Sequence, residues 1–117
     1  MSPRQPILFV CTHNISRSYT AEHLFLESPD YEARSAGTHV SARVPLSDEL
    51  IAWAARIFVM EAMHVEALSE RFASQLDGKE VTCLEIPDIY APLEPELIIV
   101  LEERLAPYLS LPPKPEA

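Results

Sequence analysis

Ile7-Leu8-Phe9-Val10-Cys11-Thr12-His13-Asn14-Ile15-Ser16-Arg17-Ser18 is the stretch on which the reading of this chain turns. Four consecutive apolar residues without polar alternation fit a strand buried on both faces. The run stops at a cysteine, a short polar loop, an arginine and a serine able to open a helix. Five residues separate Cys11 from Arg17. A strand–loop–helix junction of this kind turns successive backbone N–H groups inward, and the positive end of the helix dipole adds to them. The expected product is a cradle for a tetrahedral oxyanion, with a thiolate at its floor and a guanidinium at its rim.

Outward from the cradle, strand and helix patterns alternate. A helix is expected from about Ser18 to Glu27, with Ala21, Leu24 and Phe25 on one face and Ser28-Pro29-Asp30 as its stop. Tyr31–Ala36 alternates in polarity, as a strand near a sheet edge does, and Gly37 closes it. Ser47-Asp48-Glu49 supplies a capping hydroxyl and two first-turn acids for a second helix. Ile57-Phe58-Val59-Met60 reads as a central strand, and Ala62–Phe72 as a third helix. Val81–Ile86 is the fourth strand. Pro95 begins a last helix whose buried face is Leu97, Leu101, Leu105 and Leu109. The alternation predicts an α/β fold of three layers, αβα, with a four-stranded parallel sheet and right-handed crossovers. Ligands in such folds bind beyond the carboxyl ends of the strands, where Cys11 stands. Residues 1–110 are expected to form a single domain, and 111–117 a proline-rich, disordered tail.

Composition narrows the function classes. At 117 residues, 48% apolar and 23% charged, the chain has the balance of a soluble globular domain. No run approaches the roughly 20 apolar residues of a membrane span, and the N-terminus lacks a signal peptide's apolar core. A cytoplasmic protein with no membrane partner is expected. Two cysteines, Cys11 and Cys83, read as reduced thiols rather than a disulfide framework. Residues 1–45 are neutral overall, so residues 46–117 carry the whole net charge of −9. With no basic stripe, nucleic acid is not an expected partner. An anion site on so acidic a body must work by local geometry rather than by long-range steering.

The loop's chemistry points to phosphoryl transfer. Cysteine attacks as the thiolate. Converging N–H groups, the helix N-terminus and Arg17 favour that anion, and Ser18 can donate to it. The same donors, from Thr12, His13, Asn14, Ile15, Ser16, Arg17 and Ser18, would bind the equatorial oxygens of a phosphoryl group. Arginine suits the rim because its fork reaches two phosphate oxygens together.

These residues resemble the phosphate loop of the low-molecular-weight protein tyrosine phosphatases, V-C-x-G-N-x-C-R-S-P followed by x-A-E, matched here by Ala21-Glu22. The likeness continues in family order through Ser35-Ala36-Gly37-Thr38 (S-A-G-T), Met60-Glu61 (M-D) and Asp88-Ile89-Tyr90 (D-P-Y), and is closest to a short bacterial branch. The resemblance implies a four-stranded parallel sheet and metal-free, cofactor-free hydrolysis through a phosphocysteine. Cys11 would be the nucleophile, Arg17 the phosphate and transition-state ligand, and Asp88 the general acid and base. The implied substrate is a phosphotyrosine protein or a small aryl phosphate; Tyr90 and Tyr19 read either as pocket walls or as packed loop tyrosines.

The loop departs from the pattern at three positions: His13 for glycine, Ser16 for the second cysteine, and Tyr19 for proline. With no glycine present, Asn14 or His13 must take any left-handed conformation. Loss of the second cysteine removes a disulfide partner that would protect Cys11 from over-oxidation. Glu85 and Glu94 are rival acids to Asp88. Glu61-x-x-His64 has the spacing of half a di-metal site but lacks a second copy, so no metal is expected. His23 and His39 read as surface or satisfied histidines, and Cys83 as core. The two alternatives are an arsenate reductase-like enzyme, for which Cys83 is the spare thiol, and a non-catalytic phosphate or phosphopeptide-binding module. Nucleotide binding of the Walker type is excluded, since Gly37 and Gly78 are the only glycines.

Overall fold

The computed structural model describes residues 3–112; of the expected tail, 111–117, residues 113–117 lie outside the described residues, and Leu111 is not loose but half-buried against the core that α4 covers. Strand β1 (Gln5–Cys11) is followed by α1 (Arg17–Leu24), β2 (Tyr31–Gly37), α2 (Asp48–Trp53), β3 (Arg56–Val59), α3 (Ala62–Phe72), β4 (Glu80–Cys83) and α4 (Pro95–Leu105). The four strands form one parallel sheet in the order β2-β1-β3-β4. The expected architecture and strand order of alternation are those observed.

The unbroken apolar run of β1 is explained by its central place. Ile7, Phe9 and Cys11 face one core, with Ala21 and Phe25 from the α1 side and Leu97, Leu101 and Leu105 from α4. Leu8 and Val10 face the other, with Ile51, Ala54 and Leu68 from the α2 and α3 side. Ile7 to Val10 are fully buried, as a parallel strand covered on both faces must be. Phe9 stands between Phe25 and Phe58, with ring centroids 5.7 Å away on each side. Ser47 caps α2 by accepting from the Leu50 N–H, and Pro95 opens α4, both as the sequence predicts.

Several elements differ in detail from expectation, and in three of them the cause is plain. Helix α1 ends at Leu24, where the Phe25 and Leu26 amides tighten onto the Glu22 and His23 carbonyls; Phe25 stays buried beyond the end. Strand β2 does not alternate at its close. Ser35, Ala36 and Gly37 are all buried, because the 38–45 segment folds back over them. Strand β4 stops at Cys83, since Glu85 takes a positive φ of 56° and leaves the ladder. The Leu84 and Ile86 amides still reach the Val59 and Met60 carbonyls.

The chain runs from β1 outward to β2, then crosses back to β3. That reversal opens a crevice at the carboxyl ends of β1 and β3, and the loops after all four strands converge around it.

Candidate active site

The loop after β1 is built as an inverted cradle. The carbonyls of Cys11, Thr12 and His13 accept from the amides of Thr38, His39 and Arg43, at 2.9, 3.0 and 3.0 Å. The Asn14 carbonyl accepts from Arg43 Nε at 3.0 Å. With the carbonyls turned outward and tied down, the N–H groups turn inward. Among the described residues, none of the amides from His13 to Arg17 has a protein acceptor. The reversal needs one left-handed residue, and Asn14 supplies it at φ 59°. Its buried side chain donates from Nδ2 to Ser18 Oγ at 2.7 Å. Ser18 Oγ then has one hydrogen to direct, at the Ala36 carbonyl 3.4 Å away or at Cys11 Sγ, the nearer at 2.9 Å, where a charged sulfur would draw it. That is the arrangement a thiolate requires.

Arg17, the first residue of α1, is 2% exposed and hydrogen-bonded through one nitrogen only. Its Nη1 donates to Glu61 Oε1 at 2.6 Å and to the Ile86 carbonyl at 2.8 Å. Its Nε is buried with no hydrogen-bond partner among the described residues. The guanidinium is therefore oriented through one nitrogen and leaves its other edge for a ligand.

A second anchor lies behind the loop. His64, in the first turn of α3, is 1% exposed. The Glu61 amide donates to its Nδ1 at 3.0 Å, so the ring proton sits on Nε2, which donates to Thr12 Oγ1 at 2.9 Å. Burial, reinforced by the nearby Arg17 charge and opposed by Glu61 and Asp88, lowers the His64 pKa from 6.5 to about 4. The ring is thus neutral across the physiological range. Gly37 completes the frame. A Cβ there would stand 2.4 Å from the Thr12 carbonyl oxygen and 2.6 Å from Ala42 Cβ, so only glycine lets β2 approach so closely.

A cavity of about 240 Å³ opens above the cradle, lined by Cys11, His13, Ile15, Ser16, Arg17, Asp88, Tyr90 and Pro92. The structure brings Cys11, Arg17 and Asp88 together there, with Asp88 Oδ1 3.8 Å from Arg17 Nε. Ile15, Tyr90 and Pro92 supply apolar walls. Thr12, Asn14 and Ser18 belong to the frame rather than the lining. Tyr19 also lies outside the lining, its ring under the Arg43 guanidinium at 4.9 Å. Of the rival acids, Glu85 lines a separate cleft with Glu61, Ala62 and Pro87, and Glu94 accepts from the Ala91 amide.

Cys83 packs against the core on the opposite face of the sheet from Cys11. Glu61 and His64 are spoken for by Arg17 and Thr12 rather than arranged as metal ligands. His23 and His39 are exposed, as expected, and the His39 ring meets His13 at 4.9 Å. Sequence reasoning missed the roles of Glu61, His64 and Arg43. The one available signal was Met60-Glu61 at a strand end, which places a carboxylate at the crevice.

Comparison with known proteins agrees with this geometry. A family model described as low molecular weight phosphotyrosine protein phosphatase matches residues 6–78. No curated protein sequence matches the chain. The YwlE arginine phosphatase from Geobacillus stearothermophilus is 27% identical over 88% of this chain and 91% of its own, with a TM-score of 0.66. A YwlE mutant from Bacillus subtilis is 26% identical over 86% and 88%, at TM-score 0.59. Vibrio vulnificus Wzb in complex with benzylphosphonate, at 21% identity, covers 91% of this chain and 97% of its own with a TM-score of 0.73, and so shares the fold.

Proposed function

This chain belongs to the low molecular weight phosphotyrosine protein phosphatase family, a class of cysteine-dependent phosphatases, and on that premise we propose that it hydrolyses phosphotyrosine or other aryl phosphate monoesters through a phosphocysteine. The Cys11 thiolate attacks phosphorus as the bond to the leaving oxygen breaks, and Asp88, protonated, gives that oxygen its proton. The Asp88 carboxylate then takes a proton from water as the water oxygen attacks phosphorus. The S–P bond breaks, and phosphate and the thiolate are released. The inward amides and the open edge of Arg17 meet the equatorial oxygens where charge gathers.

The observation that carries this reading is Arg17. Its buried Nε makes no hydrogen bond, Asp88 Oδ1 standing beyond hydrogen-bond reach at 3.8 Å, while Nη1 is doubly held, and a buried donor without a hydrogen bond costs about 1–3 kcal/mol. A phosphoryl oxygen in the Cys11 cavity would satisfy it. The exposed Ile15 side chain, with Tyr90 and Pro92, suits the flat face of an aryl group. An arsenate reductase-like reading has little support, because the spare thiol, Cys83, is across the sheet. A non-catalytic binding module would have no use for a thiol and a carboxylate sharing one cavity. The similarity to an arginine phosphatase favours one second reading, phosphoarginine as substrate.

No helix among the described residues is long and apolar enough to cross a membrane. Two free thiols, one of them the nucleophile, fit a reducing cytoplasm. The phosphatase domain is taken as residues 1–110. The deciding experiment is metal-free hydrolysis of para-nitrophenyl phosphate between pH 5 and 7, alongside phosphotyrosine and phosphoarginine. Turnover should vanish in Cys11→Ser. Absence of turnover by the native protein on all three compounds would defeat the enzymatic reading, and preference for phosphoarginine would replace the aryl substrate.

A further inference from the structure

Between Cys83 and Pro95 the chain passes over the cavity without a helix or strand. Asp88 is 61% exposed and Ile89 beside it is 73% exposed, so packing at these two residues does little to fix the carboxyl. The segment is nonetheless fastened to α1 at two points. Ser16 Oγ donates to the Tyr90 carbonyl at 2.7 Å. One turn on, buried Thr20 Oγ1 accepts from the Leu93 amide at 2.9 Å, where Leu93 holds a positive φ of 61°. The near end is held at Ile86, whose amide reaches the Met60 carbonyl and whose carbonyl accepts from Arg17.

Ser16 is the N-cap of α1, a position whose hydroxyl ordinarily accepts from the helix's own first-turn amides. Here it makes no capping hydrogen bond. Its hydroxyl is spent on the acid loop instead, two residues past Asp88. We propose that Ser16 is a positioning residue for the general acid: through the Tyr90 carbonyl it holds Asp88 over the sulfur, while its amide remains part of the cradle. This rests on the assignment of Asp88 as the acid. Proton delivery needs heavy atoms about 2.6–3.2 Å apart, so a drift of an ångström in an exposed loop removes it. Hydroxyl chemistry suits the task, because O–H···O bonds run near 2.7 Å, whereas a thiol is a weak donor. Serine at the position of the family motif's second cysteine thus has a mechanical consequence besides the loss of a disulfide partner.

The test compares kcat/KM for para-nitrophenyl phosphate, a good leaving group, with phenyl phosphate, a poor one. In Ser16→Ala the loss for phenyl phosphate should exceed that for para-nitrophenyl phosphate by about five- to tenfold, the factor one neutral hydrogen bond contributes. Ser16→Thr, which keeps the hydroxyl, should restore the native ratio. Added to Asp88→Asn, Ser16→Ala should cause no further leaving-group-dependent loss. Equal losses for the two substrates, or failure of threonine to rescue, would overturn the tether. If Asp88→Asn itself proved indifferent to the leaving group, the acid assignment would fall and the tether's purpose with it. If Asp88→Asn is sensitive and Ser16→Ala is not, the tether alone falls.

Discussion

Acid should weaken this protein through His64. The ring accepts the Glu61 amide at Nδ1 and donates to Thr12 from Nε2, so a second proton would set two donors face to face at Nδ1. Its pKa is lowered from 6.5 to about 4 by burial first and by Arg17 second, with Glu61 and Asp88 pulling the other way. Between those values the unfolded chain binds the proton and the native protein does not, so stability falls as pH drops. The contribution is complete above about pH 6.5 and is lost progressively as pH falls to about 4, below which both states are protonated. At roughly 1.4 kcal/mol per pH unit, the loss from this one group amounts to about 3 kcal/mol. That is a large part of a small domain's usual 5–15 kcal/mol. Urea unfolding of the native protein and of His64→Asn, from pH 7.5 to pH 4, isolates it. Asparagine keeps an acceptor for the Glu61 amide, cannot reach Thr12 and does not titrate. The variant should be less stable by about 1–2 kcal/mol at pH 7.5. The gap should then close or reverse by pH 4. Parallel curves for the two proteins, or an imidazole resonance of His64 titrating near pH 6.5, would refute the reasoning.

Two further outcomes follow from the frame around the cradle. Gly37→Ala places a methyl group 2.4 Å from the Thr12 carbonyl oxygen and should cost about 1–3 kcal/mol, lowering the melting temperature by at least about 5 °C; an unchanged melting temperature would mean the approach of β2 to the loop is not tight. Glu61→Gln removes the charge that steers Arg17, and since a hydrogen bond to a charged group contributes about 1.5–3 kcal/mol, kcat/KM for para-nitrophenyl phosphate should drop at least about tenfold. Native-like activity would show that the Ile86 carbonyl orients the guanidinium unaided.

Sequence by itself determined the parts of this protein that local chemistry dictates. Short apolar runs with no alternation, bounded by polar loops, read as strands covered on both faces, and their alternation with helical patterns gave a parallel sheet. Cys11 and Arg17 flank one strand-to-helix turn, so chain connectivity alone holds them at one candidate site. The need for a left-handed residue in a loop without glycine was equally local, and Asn14 meets it. Tertiary structure decided everything that depends on residues remote in the chain. Arg17 and Glu61 are 44 positions apart, Thr12 and His64 are 52, and Ser16 and Tyr90 are 74. Glu61-x-x-His64 read in isolation has metal-ligand spacing. Only the crossing from β1 to β3 shows that its carboxylate steers the arginine and its imidazole braces the loop. Where Asp88, Glu85 and Glu94 stand relative to the Cys11 cavity was likewise decided in space, because an exposed loop's aim is set by what fastens it and not by its own composition. The loop from Cys11 to Ser18 is written in consecutive residues, whereas the supports that hold it come from every other strand end of the sheet.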